Sequence, residues 1–597
     1  MSCPVLRVLC GGPRGWCHVG IRTYHRTSVQ KAADIPSRPV TSNSYVHGIS
    51  NVRLSSRTVA QCLQDTANRL PDREAVVFPQ NEIRKTFAQL TQEVCDLASG
   101  LLALGFKPGD RLGMWGPNSY EWVLMQFATA QAGIILVSVN PAYQAMELEY
   151  VLKQVGCKGL IFQPQFKSQN YYEILQSICP ELASSSAGAL KSPRLPDLTT
   201  VIMTDCKMAG TFQFSEVIQA GSTRYVEQLR DAERKLSCDD PINVQFTSGT
   251  TGYPKGATLS HHNIVNNANL IGHRMGFDWK EDVRCALSPP LFHCLGSVGG
   301  TMVMATHGVT MVFPSPGFDA KATLKTIEEE KCTFLYGTPT MYIDIMGQPD
   351  FSNYNVSTVM GGVVAGSTCP QEVMNKMITK LNMREVVVAY GTTETSPVTF
   401  MGFPNDDNLK KTKTTGFIFP HTEAKVVCTQ TGQILPLNSP GELLVRGYCV
   451  MLGYWNNPEK TKECFSPGNW YKTGDIATLD KLGYCTIVGR CKDMIIRGGE
   501  NIYPAEIEQL LHTHPNIQEA QVVGIDDERM GEEVCACLKL KDGQECTVEE
   551  VKAFCKGKIA HFKIPRHVLF VAGFPLTVSG KIQKFKLKEI AEKQFKC

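Results

Sequence analysis

The run Thr247-Ser248-Gly249-Thr250-Thr251-Gly252-Tyr253-Pro254-Lys255-Gly256 constrains the chain more than any other stretch. It lies between two apolar, strand-like segments, Val244-Gln245-Phe246 and Ala257-Thr258-Leu259. Glycines let a backbone turn several N–H groups toward one point, hydroxyls add donors, and a single lysine brings a full positive charge. Those are the parts needed to hold a polyphosphate. The spacing is not that of a P-loop, because Pro254 stands where Gly-x-x-x-x-Gly-Lys-Ser/Thr requires its second glycine. Taken alone, the stretch also reads as a polar hairpin at the surface.

Four further motifs follow it in order. They are Tyr390-Gly391-Thr392-Thr393-Glu394, Tyr471-Lys472-Thr473-Gly474-Asp475, Gly489-Arg490 running into Arg497-Gly498-Gly499-Glu500-Asn501, and Ser579-Gly580-Lys581. Together, in this order, the five resemble the adenylate-forming superfamily of acyl-CoA synthetases, luciferases and peptide-synthetase adenylation domains, over residues 58–581. The resemblance implies an α/β fold with a large N-terminal adenylate-forming domain, built of β-sheets flanked by helices plus a small β-barrel. A small mobile α+β C-terminal domain would follow.

The chain has 597 residues, too many for one core. The expected division is residues 1–45 as transit peptide and linker, 46–490 as the N-terminal adenylation domain and 491–597 as the mobile C-terminal domain. Residues 1–33 contain no Asp or Glu but carry Arg7, Arg14, Arg22, Arg26 and Lys31 among Ser, Thr and apolar residues, the composition of a mitochondrial presequence and of matrix delivery. An arginine breaks the apolar stretch Val5-Leu6-Arg7-Val8, which argues against a secretory signal; a disordered cytosolic tail is the bland alternative. Thr86-Phe87-Ala88-Gln89 reads as a capping box before apolar positions Leu90, Val94, Leu97, Leu101 and Leu104, with Gly105 as the stop. Helix and strand patterns alternate from there to Leu160, and residues 184–196 read as a surface loop. Beyond Arg490 the elements shorten: a helix from Pro504, a strand over Gln521-Val522-Val523-Gly524-Ile525 ended by Asp526-Asp527, and a capping box at Thr547-Val548-Glu549-Glu550. A formal net charge of +3 gives no reason to expect nucleic acid. No apolar run reaches spanning length. The 23 cysteines are scattered, without zinc spacing, and read as free thiols. The oligomeric state is left open.

Activating a carboxylic acid means making its oxygen a leaving group, which attack on the α-phosphorus of ATP accomplishes by expelling pyrophosphate. The site must orient ATP, neutralise developing charge and keep water from the mixed anhydride. The resemblance distributes these tasks. Thr247, Ser248, Gly249, Thr250, Thr251, Gly252, Tyr253, Pro254 and Lys255 would hold the β- and γ-phosphates. Tyr390 would lie on the adenine, Thr393 would bond an α-phosphate oxygen, and Glu394 would hold Mg²⁺, a hard cation suited to carboxylate and phosphate oxygens. Asp475 and Arg490 would hold the ribose, and Lys581 would bridge the carboxylate and the α-phosphate. Lys492 would be the hinge that withdraws Lys581 and brings in Gly498, Gly499 and Glu500 to line the coenzyme A tunnel. For a lone Asp or Arg the bland alternative is a surface ion pair, and for Lys581 a solvated charge run with Lys584, Lys586 and Lys588.

Pro289-Pro290-Leu291-Phe292-His293-Cys294 resembles the segment beside the acyl carbon, with His293 next to the carboxylate or gating the thiol, or else serving structure. Relatives that activate amino acids carry an Asp in the part matched to Phe292 through Gly296. This chain has none there, so a purely apolar acid is expected. Val298-Gly299-Gly300-Thr301-Met302 and Met360-Gly361-Gly362-Val363-Val364-Ala365 would be its walls, or plain core. The expected function is ATP-dependent ligation of a fatty acid, of medium chain, to coenzyme A through an acyl-adenylate. An adenylation enzyme loading a separate carrier protein is the alternative, and a catalytically silent acyl-nucleotide sensor is a rival of another class.

Overall fold

The computed structural model describes residues 42–247, 254–367, 369–498, 500–578 and 580–595. The presequence region, loop residues Ser248, Gly249, Thr250, Thr251, Gly252 and Tyr253, and Gly499 in the second glycine pair lie outside the described residues.

Two large sheets flanked by helices share one core. In the eight-stranded sheet, Phe212–Gln213, Thr200–Met203, Gly159–Phe162, Arg111–Trp115, Ile135–Val139 and Pro241–Thr247 run parallel, and Lys255–Ser260 and Gly453–Tyr454 close the far edge antiparallel. The inner parallel strands are apolar and buried residue after residue because helices cover both faces. The nine-stranded sheet places Arg284–Leu287, Phe334–Gly337, Gly361–Val364 and Glu385–Gly391 side by side and parallel, with Val398–Met401 antiparallel beyond. Alternation along these strands sorts their side chains cleanly. Leu287, Tyr336, Val363 and Val387 face the core shared with the first sheet, whereas Ala286, Leu335, Val364 and Val386 face a second cluster on the other side.

A third, six-stranded antiparallel sheet stands where the small barrel was expected. Thr422–Val427, Gly441–Gly447 and Trp470–Leu479 form its centre, and Cys485–Arg490 is its last strand. Cys485 also bonds back to residues 415 and 416, which ties this sheet to the nine-stranded one. Strands after Arg490 pair only among themselves: Ile495–Arg497, Glu500–Ile502, Ile517–Asp527, Gly531–Leu540 and His567–Phe570 build a five-stranded sheet carrying helices Pro504–Leu511, Val548–Cys555 and Lys584–Phe595. Its two faces have their own apolar clusters.

Local signals hold where local chemistry decides. The Thr86 and Thr547 capping boxes form, the first helix ends at Ala103 with Gly105 at φ +86°, and Pro504 opens its helix. One strand boundary differs: Asp526 and Asp527 belong to the strand Ile517–Asp527 rather than ending it. The hairpin tip lies beyond them, and Asp527 Oδ1 stabilises it by accepting the N–H groups of Arg529 and Met530. The surface segment after Ser184 is anchored by buried Leu190, Leu195 and Leu198. Lys584 and Lys588 are paired with Glu508, Asp526 and Glu532 rather than forming a freely solvated run. Among the described residues the cysteines are unbridged, and no helix is long and apolar enough to cross a membrane.

Candidate active site

Parallel strands end together, and the segments just past their carboxyl ends surround one crevice, the usual place for a ligand in an α/β sheet. Here those segments supply Pro289 and Pro290, Thr338, Ala365 and Gly366, and Gly391, Thr392 and Thr393. With His293, Leu295 and Lys581 they enclose a cavity of about 50 Å³.

His293 caps the short helix Cys294–Gly296, and its Nδ1 accepts the N–H of Leu295 at 3.2 Å. That bond leaves the imidazole proton on Nε2. Burial, reinforced by the nearby Lys581 charge, pushes the His293 pKa down to about 3, so the ring is neutral. Lys581 Nζ lies 3.4 Å from His293 Nε2. Two donors therefore converge on one point. Lys581 arrives there at the tip of a hairpin closed by Thr577 N–H to Lys581 O at 2.7 Å and Gly580 N–H to Thr577 O at 2.9 Å. Gly580 takes φ +76° to make the turn. The lysine stem passes over Gly366, where a Cβ would stand 3.3 Å from Lys581 Cε and φ is +95°. Burial lowers the Lys581 pKa from the ordinary lysine value.

Glu394 follows Thr393 in a single 3-10 turn and is 8% exposed. Its Oε1 accepts Tyr454 Oη at 2.8 Å and Thr247 Oγ1 at 3.5 Å. The Tyr454 ring lies under Lys255 Nζ at 4.8 Å. Thr247, just before the glycine-rich segment, thus stands at this carboxylate, and Lys255, just after it, stands over the carboxylate's Tyr454 partner; carboxylate and hydroxyl oxygens together suit a hard cation. Thr393 Oγ1 accepts a weak bond from Cys294 Sγ at 3.6 Å, and burial pushes that thiol up to about 11.

On the other side of the crevice, Asp475 is 6% exposed. It accepts Tyr390 Oη at 2.6 Å and faces Arg490 Nε at 3.3 Å, its partner across the strand pair. Burial raises the Asp475 carboxyl pKa, with Arg490 and the Tyr390 hydroxyl opposing the shift. Lys492 sits exposed in the turn that follows, where Asp493 and Met494 N–H groups return to Arg490 O at 3.1 Å each.

The structure therefore brings together Thr247, Lys255, His293, Tyr390, Thr393, Glu394, Asp475, Arg490 and Lys581, and Pro254 lies beside Lys255. Gly498 and Glu500 are elsewhere. They belong to the hairpin of the five-stranded sheet, where Gly498 N–H donates to Met530 O at 2.7 Å and Arg497 makes two bonds, 2.6 and 3.0 Å, to Glu533. The walls need correction: Met360 is 42% exposed at the start of its strand, and a Cβ on Gly361 or Gly362 would strike the backbone oxygen of Glu385 or Leu335. Those two glycines serve strand packing. Sequence reasoning missed Tyr454, Thr338 and Gly366. Only Gly366 carries a signal, as a glycine directly after a strand, and that signal is weak.

Residues 63–455 match the family model described as AMP-binding enzyme, and residues 506–581 match that of the AMP-binding enzyme C-terminal domain. A curated relative from Danio rerio, "Medium-chain acyl-CoA ligase ACSF2, mitochondrial", is 62% identical over 94% of this chain and 92% of its own. The Homo sapiens protein of the same name is 58% identical over 97% and 95%. Among solved structures, the anthranilate CoA ligase AuaEII in complex with anthranoyl-AMP superposes with a TM-score of 0.79 at 26% identity, covering 92% of this chain and 99% of that one.

Proposed function

The chain belongs to the AMP-binding enzymes, and from that premise we propose that it joins a medium-chain fatty acid to coenzyme A through an acyl-adenylate. The observation that carries this reading is the convergence of Lys581 Nζ and His293 Nε2 at 3.4 Å. Two donors aimed at one point in a crevice call for an anion between them, and a carboxylate supplies it. In the first half-reaction a carboxylate oxygen attacks the α-phosphorus of ATP, the bond to the bridging oxygen breaks, and pyrophosphate leaves. In the second, the thiol of coenzyme A attacks the acyl carbon and AMP leaves with the electron pair of the carbon–oxygen bond.

Each residue has one task in that sequence. Lys581 balances the charge shared by carboxylate and α-phosphate, and His293 donates through Nε2 to the carboxylate. Thr393 bonds an α-phosphate oxygen. Asp475 accepts the ribose hydroxyls and Arg490 donates to the same sugar, while Tyr390 covers the base. Residues 247–255 hold the outer phosphates. Glu394, buried with both of its side-chain hydrogen bonds among the described residues on Oε1, is the residue to hold Mg²⁺, which when bound neutralises phosphate charge. The thiol needs no dedicated base, being a few per cent ionised near neutrality. Residues 491–597 act as a mobile unit turning about Lys492, so that Gly498, Gly499 and Glu500 replace Lys581 for the second step. Residues 1–33, the acid-free basic part of the 1–45 transit peptide and linker, direct the chain to the mitochondrial matrix.

The medium chain and the mitochondrion rest on the names of the relatives above, and the lack of an Asp from Phe292 through Gly296 supports an acid without a charged head group. ATP–pyrophosphate exchange across straight-chain acids and an amino acid of similar size, followed by transfer to coenzyme A or to a carrier protein, tests the proposal. Exchange driven by octanoate with coenzyme A as acceptor is expected. Equal exchange with the amino acid, or acyl transfer confined to the carrier, would refute it.

A further inference from the structure

Directly beneath the cavity lies a row of side chains that the reaction just described does not use. Thr338 and Ala365 line the cavity, and the extended chain continues past both strand ends, since Ala365 N–H still bonds Gly337 O at 3.2 Å. Two residues back on each strand, Tyr336 and Val363 are register partners on the same face. Both belong to the core cluster that also holds Leu295, Val298 and Met302 from the helical segment opposite. An acyl chain entering below the carboxylate would run between this row and the segment from Leu295 to Met302.

Tyr336 is the largest side chain of the row and faces the smallest residue across it. A Cβ placed on Gly299 would stand 4.0 Å from Tyr336 Cε2 and 3.5 Å from Leu295 Cδ1, ordinary contact distances. Tyr336 is 2% exposed, and its Oη is buried with no hydrogen-bond partner among the described residues. A phenylalanine would fill the same volume without stranding a hydroxyl.

The geometry points to Tyr336 as the residue that ends the acyl pocket and sets the chain length accepted, an inference that rests on the acyl-ligase reading. Two residues of extended strand rise about 6.6 Å. A zigzag of ~1.5 Å carbon–carbon bonds covers that distance in about five bonds. The ring therefore stands about five carbon–carbon bonds below the level of Thr338 and Ala365, and a chain long enough to reach it meets the phenol opposite Gly299.

The test is the profile of kcat/KM in ATP–pyrophosphate exchange for straight-chain acids from butanoate to hexadecanoate. In Tyr336→Ala the ratio of dodecanoate to octanoate should rise roughly tenfold or more, the discrimination an apolar pocket exerts per methylene or above. Gly299→Ala narrows the same space from the opposite wall and should raise the ratio of hexanoate to octanoate by a comparable factor. A Tyr336→Ala enzyme with a wild-type melting curve and a wild-type profile overturns the assignment. Where that variant does not fold, an unchanged profile in Gly299→Ala overturns it instead. Wild-type protein that releases no pyrophosphate with any of these acids overturns the acyl-ligase reading and this inference with it.

Discussion

Lys581→Met deletes one charge and keeps the stem that packs over Gly366. In water-poor surroundings with an effective dielectric of about 20, an ammonium at hydrogen-bond distance from an anion, about 3 Å, contributes about 5 kcal/mol. Lost electrostatic donors in acyl-transfer sites cost about 2.7–4 kcal/mol, or two to three orders of magnitude in kcat. Adenylation, read as single-turnover pyrophosphate release, should therefore fall by roughly 100- to 1,000-fold. Thioester formation from preformed acyl-adenylate should change only a few fold, because the lysine has no part in it. Stability should move the other way. Burial lowers the Lys581 pKa, so the folded state bears a cost for the ammonium below that shifted pKa, and the cost fades as pH rises through it. Removing the charge should leave the melting temperature at or above the wild-type value. Equal loss in both half-reactions, or a lowered melting temperature in step with lost activity, would refute the reasoning.

Three other outcomes follow from the same geometry. Tyr454→Phe removes the hydroxyl that donates to buried Glu394 at 2.8 Å; it should cost about 1.5–3 kcal/mol of stability and raise the Mg²⁺ concentration needed for half-maximal adenylation, and an unchanged metal requirement would separate Glu394 from the cation. Lys492→Pro fixes φ at the turn after Arg490 and should leave adenylation near normal while cutting transfer to coenzyme A by orders of magnitude, whereas proportionate loss in both steps with a lowered melting temperature would remove Lys492 as the pivot. His261, fully buried with Nδ1 accepting Val59 N–H at 3.1 Å, has its pKa pushed down to about 4 by burial. Below its ordinary pKa near 6.5 the unfolded chain takes up a proton that the folded one refuses, so stability should drop by about 1.4 kcal/mol per pH unit from 6.5 toward 4 on this account. Urea midpoints between pH 7 and 5, with His261→Gln, should show one proton's worth of that slope disappear.

What the sequence discloses here is set by how far apart the cooperating residues stand. Thr86 and Gln89 are within one turn, and so are Thr547 and Glu550, so their helix starts are legible from four letters. The five motifs are similarly local, and the structure gathers Thr247, Lys255, Tyr390, Thr393, Glu394, Asp475, Arg490 and Lys581 from them around one crevice. Tyr454 donates to Glu394 across 60 positions, and nothing near either residue announces the bond. The acyl walls failed for a related reason. Met360, Gly361 and Gly362 look like pocket material by composition. Strand register decides which residues of 360–365 face the crevice, and it is fixed by neighbours at 334–337 and 385–388. The same register hides Tyr336 in the sequence, where it is one more aromatic residue in the apolar run Phe334-Leu335-Tyr336.

The hairpin that carries Lys581 into the crevice belongs to a domain joined to the rest of the chain by the short turn at residues 491–494, so it meets the crevice as a tethered partner. A short link makes an encounter intramolecular, at an effective concentration in the millimolar range, and the turn at residues 491–494 is such a link. Cut there, the two pieces would have to meet by diffusion, and the presence of the lysine in the crevice would come to depend on their concentration. The turn touches no substrate, yet on these terms it is as much a part of the catalyst as the lysine it delivers.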